Sequence, residues 1–494
     1  MEPQTVLAAV DLGSNSFRLQ MARVVDGHLY MLDGLRESVR LAAGLSPDEY
    51  LDEAAQQRAL SCLKLFNERL RGLPNAAVRA VATNTLRVAK NADDFLPRAE
   101  AVLGFPIEVI AGREEARLIY VGVAQGLPPS QERRLVVDIG GGSTEIIIGC
   151  GLDPKRLESL YMGCVSYAQR YFRDGKIKKS NFKQAELAAR NELQSVLKDF
   201  SPDSWDSALG SSGTARMMHD ILLQNGYSSD GITRAGMDRL REHLLEVGNI
   251  KKLSLLGIKP DRLEVLPSGF AILYAIFCEL GIKQMRSAEG ALREGVLCDL
   301  VGRRSKQDAR DVTVRQFMQR YQVNQDQAER VVQLSRRLAQ DFLRQLTPPA
   351  TGDEPLQTLE WAARLHEVGI SIAHNGYHKH TAYILGNADM PGFAKNSQAL
   401  LGRLTLAQRG GLEKVRGILN SQQETVLAMA LRLAILFCRN RRQTVVPVMR
   451  GGYRKNTFTI SLPAGWLTEN PLTEASLAAE MQRWKSFGVK LRIA

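Results

Sequence analysis

Hydrophobic and polar positions follow two different patterns along the chain, and the change between them falls near residue 306. Before it, short apolar runs separated by helical stretches predict strands alternating with helices. After it, apolar residues recur every three or four positions and strand signals are weak, which predicts a helical region. The first part is predicted to contain strands at Val6–Val10, Phe17–Val25, Val78–Ala82 and Ile107–Ile110 and helices at Glu53–Leu70 and Asp94–Leu103.

A second unit that begins with a strand opens at Leu135 and runs to about Arg303. Helices are predicted in it near Asn181–Asp199, Arg234–Leu245 and Phe270–Leu280. Two such α/β units usually enclose a ligand cleft between them. Four domains are therefore predicted, at residues 1–126, 127–305, 306–410 and 411–494.

The helical region is predicted to span Thr313–Leu346 and Leu356–Ala373. Near the end, Val445–Met449 and Thr457–Ser461 flank Arg450-Gly451-Gly452-Tyr453, which predicts a hairpin with a basic turn. The apolar stretch Val426–Cys438 is short for a membrane span and contains a charge, so it is predicted to be a buried helix.

Two glycine- and serine-rich turns each follow an apolar strand and begin with an aspartate. They read Asp11-Leu12-Gly13-Ser14-Asn15-Ser16 and Asp138-Ile139-Gly140-Gly141-Gly142-Ser143-Thr144-Glu145. Small residues let backbone amides approach phosphate oxygens, and hydroxyls and amides can donate to them. The repetition predicts a duplicated fold that holds phosphate between its copies. A further Gly/Ser turn, Gly210-Ser211-Ser212-Gly213-Thr214, is a third candidate contact.

The carboxylates of these turns are candidate ligands for Mg²⁺, with Mn²⁺ as a substitute. Mg²⁺ prefers oxygen ligands, keeps several waters and bridges to substrate phosphates, so one or two carboxylates suffice. Asp11, Asp138 and Glu145 form the predicted cluster. Alternatively, both aspartates only cap their turns, and Glu145 assists the attacking water or positions Glu115.

Composition limits the class of protein. The chain has 494 residues, 44% hydrophobic and 24% charged, which is typical of soluble globular proteins. Its six cysteines are scattered, which favours reduced thiols in a cytoplasmic protein over disulfides or a zinc site. Neither a secretion signal nor a membrane span is predicted. The formal charge of +12 suggests a polyanionic partner, although no motif favours nucleic acid.

The two phosphate turns resemble those of the actin, sugar-kinase and heat-shock-chaperone superfamily, and within it those of the exopolyphosphatase/guanosine pentaphosphate phosphatase family. Ile110–Arg117, Gly210–Thr214 and Glu289–Gly295 match that family in the same order. The resemblance implies two ribonuclease H-like domains, an all-α HD-like domain and a small α+β C-terminal subdomain. It also implies a homodimer, a possible K⁺ requirement, and C-terminal domains that bind a long chain.

The resemblance also assigns roles to residues outside the two turns. A carboxylate beside a bound phosphate can activate water, but acids also favour the first turn of a helix. The resemblance favours the first reading for Glu115, and it places Arg87 near the cleft as a clamp on phosphate. Substrate contacts are predicted for Ser14, Asn15, Ser16, Arg87, Gly140, Gly141, Gly142, Ser143, Thr144, Ser212, Gly213 and Thr214, and catalysis for Glu115 and Glu145.

The helical region carries a second resemblance, to the metal-binding core of HD-type phosphohydrolases, at Leu365-His366-Glu367-Val368-Gly369. Glu367 stands where that core has aspartate, and Gln322 stands where an upstream histidine is expected. His374, His378 and His380 lie close together in sequence, so a structural relic is favoured over a second metal site. The region opens with many basic residues, which form either a solvated face or a track for a polyanion: Arg303, Arg304, Lys306, Arg310, Arg315, Arg320, Arg330, Arg336 and Arg337.

The main functional hypothesis is an exopolyphosphatase that removes terminal phosphates processively from linear polyphosphate by metal-assisted in-line attack of water. The alternative is the same chemistry on guanosine pentaphosphate, yielding the tetraphosphate. A sugar or acetate kinase would need an adenosine pocket and an acceptor site, for which there is no signature. A non-catalytic actin-like nucleotide sensor would have no use for Glu115.

Overall fold

The computed structural model describes residues 5–25, 28–304, 308–346, 354–419, 421–441 and 447–494. The chain forms two compact units, Met1–Asp308 and Ala309–Ala494. The predicted boundary at residue 305 lies outside the described residues. Within the first unit, the sheets described below begin on either side of the predicted boundary at 126.

The first sheet of the first unit has five strands in the order β3-β2-β1-β4-β5. Strands β1, β2 and β3 form an antiparallel meander, and β4 and β5 add in parallel to β1. The helices of this half are α1 to α4. The bounds are β1 Thr5–Leu12, β2 Phe17–Val25, β3 His28–Glu37, α1 Glu53–Leu70, β4 Val78–Ala82, α2 Asn84–Val88, α3 Ala92–Leu103, β5 Ile107–Val109 and α4 Gly112–Gln125.

The second sheet repeats this arrangement with one added strand. Its order is β10-β11-β9-β6-β7-β8, in which β6, β7 and β8 form the meander and β9 and β11 add in parallel. The predicted duplication therefore appears in the strand order. The bounds are β6 Arg133–Ile139, β7 Thr144–Cys150, β8 Asp153–Leu160, α5 Cys164–Tyr171, α6 Lys179–Leu193, β9 Ser207–Ser211, α7 Ser212–Gln224, β10 Ile232–Thr233, α8 Arg234–Val247, α9 Leu266–Glu279, β11 Gln284–Ser287 and α10 Leu292–Arg304.

Helices α4 and α10 pack backbone against backbone, because glycines stand at their contact. A Cβ at Gly122 of α4 would overlap the carbonyl oxygen of Ala291, and one at Gly295 of α10 would overlap that of Leu118. Because the two glycines have no side chain, α4 can lie directly on α10. Helix α4 follows the first sheet in sequence, and α10 follows the second.

The second unit has one continuous hydrophobic core that runs from Val314 to Leu491. Six of its described α-helices precede a three-stranded sheet of order β12-β13-β14 in sequence, and the last two, α17 and α18, lie between β13 and β14. The bounds are α11 Ala309–Arg320, α12 Gln325–Leu343, α13 Glu354–Leu365, α14 Tyr377–Asn387, α15 Lys395–Ala407, α16 Gln422–Phe437, β12 Arg450–Arg454, β13 Thr457–Ser461, α17 Trp466–Glu469, α18 Pro471–Phe487 and β14 Lys490–Ile493.

Three predicted elements differ from the structure. The predicted turn at Arg450–Tyr453 is a strand, β12, and the chain reverses at Lys455 and Asn456, both of which have positive φ. The predicted helix at Thr313–Leu346 is broken between α11 and α12, where Gln322 has a φ of 50°. Of the predicted strand at Val445–Met449, residues 445 and 446 lie outside the described ranges, and residues 447–449 form no strand. No helix in the described part of the chain is long and apolar enough to cross a membrane.

Candidate active site

A cleft in the first unit is lined by both phosphate turns, which the duplicated sheets present in equivalent positions. Asp11 is the second-last residue of strand β1 and pairs across the hairpin with Arg18. Asp138 is the second-last residue of strand β6 and pairs with Glu145. Opposite residues of an antiparallel pair lie on the same face of the sheet. Each aspartate is therefore accompanied by one charged side chain, an arginine in the first half and a glutamate in the second.

The two aspartates interact electrostatically within the cleft. Desolvation raises the pKa of Asp11 to about 6, and the charge of Asp138 adds to this rise, while Arg18 and Arg293 oppose it. Burial also raises the pKa of Asp138. Two carboxylates that disfavour each other's charge attract a cation, because a cation relieves both the repulsion and the lost solvation.

Glu115 lies in the first turn of α4 and lines the same cleft. Its side chain is buried, and this desolvation raises its pKa to about 7. The helix can begin here because a Cβ at Gly112 would stand only 2.6 Å from the side chain of Ser159 on β8. A carboxylate with a pKa near neutrality is suited to accept a proton from water.

Arg87 and Glu145 lie behind this carboxylate and are not among the residues that line the cleft. Arg87 Nη1 donates to Glu115 Oε2 at 3.1 Å and to the carbonyl oxygen of Ile110 at 2.9 Å. Glu145 is 1% exposed, accepts a hydrogen bond of 2.8 Å from Ser159, and has a pKa raised by burial and by the charge of Glu115. In this structure Arg87 therefore contacts the candidate base, and its predicted contact with phosphate stays a prediction.

The predicted phosphate contacts fall into two groups. The first group lines the cleft: Ser14, Asn15, Ser16, Gly140, Gly141, Ser143, Ser212 and Gly213. The second does not, because Thr144 donates to the Met162 carbonyl, Thr214 donates to the Ile139 carbonyl at 3.0 Å, and Gly142 packs against Asn84. The two threonine hydroxyls thus support the turns from behind.

Three arginines in the cleft were not among the predicted residues: Arg18, Arg262 and Arg293. Arg18 comes from β2, Arg293 from the start of α10, and Arg262 from a short 3₁₀ turn at Pro260–Val265. A Cβ at Gly213 would overlap the guanidinium of Arg262, so this arginine rests on the third Gly/Ser turn. Arginine in such a position is well suited to phosphate oxygens.

The predicted Mg²⁺ site fits the donor chemistry of the cleft through the two aspartates. Among the described residues, no group of three His, Cys, Asp or Glu side chains is arranged to hold a metal. Two carboxylates are nevertheless enough for Mg²⁺ that keeps waters and binds substrate phosphates. Asp11 and Asp138 would hold the ion, whereas Glu145, which does not line the cleft, is less suited. The metal remains a prediction.

A separate cavity in the second unit lies at the HD-like motif and is lined by Gln322, Glu367, His374 and Arg441, among others. His366 is buried, with its Nδ1 2.6 Å from the carbonyl oxygen of Ala363, and Arg441 forms an ion pair with Glu367. The guanidinium thus neutralises the glutamate that replaces the aspartate of the HD core.

The basic residues that open the second unit make several contacts of their own. Arg310 stacks on Trp361 with 4.6 Å from its guanidinium carbon to the ring centre, Arg330 donates to Gln327, and Arg336 pairs with Glu360. The side chains of Arg304 and Lys306 lie outside the described residues. These three arginines thus interact with residues of the same unit. Binding of a polyanion by this region stays a prediction.

Comparison with known proteins gives the following matches. The profile of the Ppx/GppA phosphatase family matches residues 20–304, and that of Ppx/GppA phosphatase, domain III, matches residues 309–481. A protein of Aeromonas hydrophila named guanosine-5'-triphosphate,3'-diphosphate pyrophosphatase is 40% identical, over 100% of this chain and 99% of its own.

Solved structures match the fold over about three fifths of the chain. An Aquifex aeolicus PPX-GPPA enzyme is 27% identical, with a TM-score of 0.51 over 60% of this chain and 99% of its own. An exopolyphosphatase from Cytophaga hutchinsonii is 23% identical, with a TM-score of 0.55 over 60% of this chain and 97% of its own.

Proposed function

The chain belongs to the Ppx/GppA phosphatase family and hydrolyses phosphoanhydride bonds, and we propose that its substrate is guanosine 5'-triphosphate 3'-diphosphate. The observation that carries this proposal is the 40% identity, along both full lengths, to a protein named for that nucleotide. The reaction would release orthophosphate from the 5' end and leave guanosine 3',5'-bis(diphosphate). This was the alternative in the sequence analysis, and the named relative supports it better than the main hypothesis of polyphosphate.

The cleft supports a hydrolytic mechanism in which Glu115 is the general base. Its carboxylate would take a proton from water as the water oxygen attacks the terminal phosphorus and the bond to the bridging oxygen breaks. Arg87, through its hydrogen bond of 3.1 Å, would hold that carboxylate in place. Arg18, Arg262 and Arg293 line the cleft, where they would neutralise charge on the transferred phosphoryl group.

Mg²⁺, when bound, would neutralise phosphate charge, and Asp11 and Asp138 are the residues that would hold it. Around it, the turn residues Ser14, Asn15, Ser143 and Gly213 would contact the phosphate oxygens. Positioning and electrostatics would then account for most of the rate acceleration. Mn²⁺ as a substitute and K⁺ as an additional cation belong to the same proposal.

Linear polyphosphate is the second candidate substrate. The chain's formal charge of +12 favours it, and a solved exopolyphosphatase shares the fold. The fold likeness alone does not choose between the substrates, because both reactions hydrolyse a terminal phosphoanhydride. Polyphosphate is therefore proposed as a secondary substrate.

The finer structural assignments belong to the same proposal. The repeated strand order, a three-stranded meander followed by two parallel strands, supports two ribonuclease H-like halves. The buried His366-Glu367 pair supports an HD-like origin for the helical part of the second unit. Homodimerisation is proposed from the family resemblance alone, and a cytoplasmic location is proposed from the scattered cysteines.

The test measures orthophosphate release from guanosine 5'-triphosphate 3'-diphosphate and from linear polyphosphate in parallel, each with and without Mg²⁺. We expect the nucleotide to be the better substrate, with guanosine 3',5'-bis(diphosphate) as the product on anion-exchange chromatography. Glu115→Gln should abolish release, and Glu68→Gln, an exposed glutamate of α1, is the matched control. Cleavage of polyphosphate without cleavage of the nucleotide would refute the proposal, and full activity in Glu115→Gln would refute the mechanism.

A further inference from the structure

The cleft that holds the candidate catalytic residues is too small for the whole nucleotide. Its volume is about 110 Å³, below the range of about 300–1,000 Å³ that is usual for small-molecule sites. This leaves room for a terminal phosphate and a few waters. On the proposed function, the nucleoside and its 3'-diphosphate must then lie elsewhere.

A second and larger cavity of the first unit adjoins the cleft. Its volume is about 920 Å³, within the range of about 300–1,000 Å³ that is usual for small-molecule sites. The phosphate turns form the wall between the two spaces: Ser14 lines the cleft, Thr85 lines the cavity, and Thr85 Oγ1 donates to Ser14 Oγ at 2.8 Å. At Ser14 and Thr85, the cleft and the cavity are therefore separated by one pair of hydrogen-bonded side chains.

The charge of this cavity favours an anion. Its three lining cations, Arg170, Arg173 and Lys251, form no ion pair within the described part of the chain; Arg173 donates to the Gln169 carbonyl and Arg170 lies over the Tyr171 ring. Its two lining acids are already neutralised, because Asp174 pairs with Lys176 at 3.4 Å and Glu264 pairs with Arg40 at 3.3 Å. Up to three positive charges are thus left for a ligand, which suits a diphosphate.

The rest of the cavity suits a nucleoside. Leu45, Phe172 and Ile250 contribute apolar surface, against which a base or ribose can pack. Asn84, which lines the cavity and is 8% exposed, has an Nδ2 that is buried without a hydrogen-bond partner in the described structure. A buried donor without a partner is costly, so a ligand oxygen that accepts a hydrogen bond from this Nδ2 would be favoured.

We infer that this cavity binds the nucleoside 3'-diphosphate end of the substrate, with Arg170, Arg173 and Lys251 contacting the 3'-diphosphate. The inference rests on the proposed function and adds to it the part of the protein that distinguishes this nucleotide from an ordinary nucleoside triphosphate. The cleft would then recognise only the 5'-terminal phosphate.

The test compares the binding of guanosine 3',5'-bis(diphosphate) and of guanosine diphosphate by titration calorimetry, since the two differ only in the 3'-diphosphate. We expect the full chain to bind the former at least about tenfold more tightly, because contacts with charged groups are worth about 1.5 kcal/mol or more. A combined Arg170→Ala, Arg173→Ala and Lys251→Ala variant should bring the ratio of the two Kd values close to one. All three side chains are exposed, so the fold should persist.

A matched control removes three exposed lysines from the same half, at Lys178, Lys179 and Lys183, and should keep the full preference. Equal affinities in the unmodified chain, or an unchanged preference in the combined cavity variant, would overturn the inference. So would a variant that loses affinity for linear polyphosphate but not for the bis(diphosphate). Binding with the expected preference, but without phosphate release from the pentaphosphate, would refute the proposed function and leave the cavity as a nucleotide site.

Discussion

Replacement of Asp299 by asparagine tests the buried charges that hold α4 against the rest of the first unit. Asp299 of α10 accepts hydrogen bonds from Arg79 at 2.7 Å, Arg117 at 2.5 Å and Arg303 at 2.9 Å. Glu108 and Glu114 complete a charge network of three arginines and three acids. Arg79, Glu114 and Asp299 have side-chain exposures of 1%, 2% and 4%.

The expected loss of stability in Asp299→Asn follows from the burial of these charges. The six charges balance, and the three arginines hold the pKa of Asp299 well below its usual range. Asparagine keeps the size of the side chain but leaves the network with one uncompensated positive charge. Removal of one partner from a buried ion pair costs about 3–5 kcal/mol, and we expect a loss of this size in the free energy of unfolding of the first unit.

The assay is urea unfolding followed by hydrogen exchange, with peptides from α4 and α10 reporting on this unit and peptides from α12 and α16 on the other. Asp206→Asn is the matched control, because Asp206 pairs with Arg133 on the surface at 2.6 Å, with exposures of 42% and 49%. The control should unfold like the unmodified chain. If Asp299→Asn also unfolds at the same urea concentration, the network contributes no net stability and the reasoning is wrong.

Three further predictions concern the candidate base and its helix. Since burial raises the pKa of Glu115 to about 7, the folded chain binds more protons than the unfolded chain between about pH 4.5 and 7, and its stability falls as the pH rises. Glu115→Gln should therefore raise the free energy of unfolding at pH 8 by up to about 3 kcal/mol, measured by urea unfolding. The same variant should release no phosphate. A variant less stable than the unmodified chain would contradict this prediction. Phosphate release should increase as the pH passes through about 7. Arg87→Ala should move this midpoint to higher pH, because the guanidinium favours the charged carboxylate of Glu115; an unmoved midpoint would show that the charge of Arg87 does not act on the base. Gly122→Ala should destabilise the first unit by about 1–3 kcal/mol or more, since the added methyl group meets the Ala291 backbone, whereas Gly126→Ala, with no close neighbour except the Val123 carbonyl at 3.7 Å, should be tolerated.

The parts of the fold that the sequence predicts well are those determined by local signals. The helix at Glu53–Leu70 has its predicted bounds because Asp52 caps it, accepting a hydrogen bond of 2.6 Å from the Ala55 amide. The predicted helix at Val426–Cys438 is buried in spite of Arg432, because Glu480 pairs with that arginine in the core. The broken helix at Gln322 was missed because positive φ at a glutamine has no local signal.

The same limit applies to the candidate site: residues with a local sequence signal can be predicted, and residues without one cannot. The two aspartates lie at the ends of β1 and β6 and Glu115 begins α4, so local signals make all three candidates, and the family resemblance favours Glu115 as the base. Arg262 reaches the cleft from a 3₁₀ turn far along the chain and has no local signal. Arg18 could have been found by extending the first hairpin, because a turn at Gly13–Ser16 requires residues 11 and 18 to face each other.

The charges of the cleft bear on how the two candidate substrates are distinguished. Three acids, Asp11, Asp138 and Glu115, line it together with three arginines, Arg18, Arg262 and Arg293. Because acids and arginines both line it, the cleft is not a uniformly positive track for a long polyanion, and every phosphoanhydride substrate presents the same terminal phosphate to it. Selection between a nucleotide and an inorganic chain must then depend on contacts with the remainder of the substrate. In the neighbouring cavity, Arg170, Arg173 and Lys251 form no ion pair with a described residue and lie beside apolar surface. On the inference above, it would supply contacts that the nucleoside 3'-diphosphate can use fully and a phosphate chain only in part.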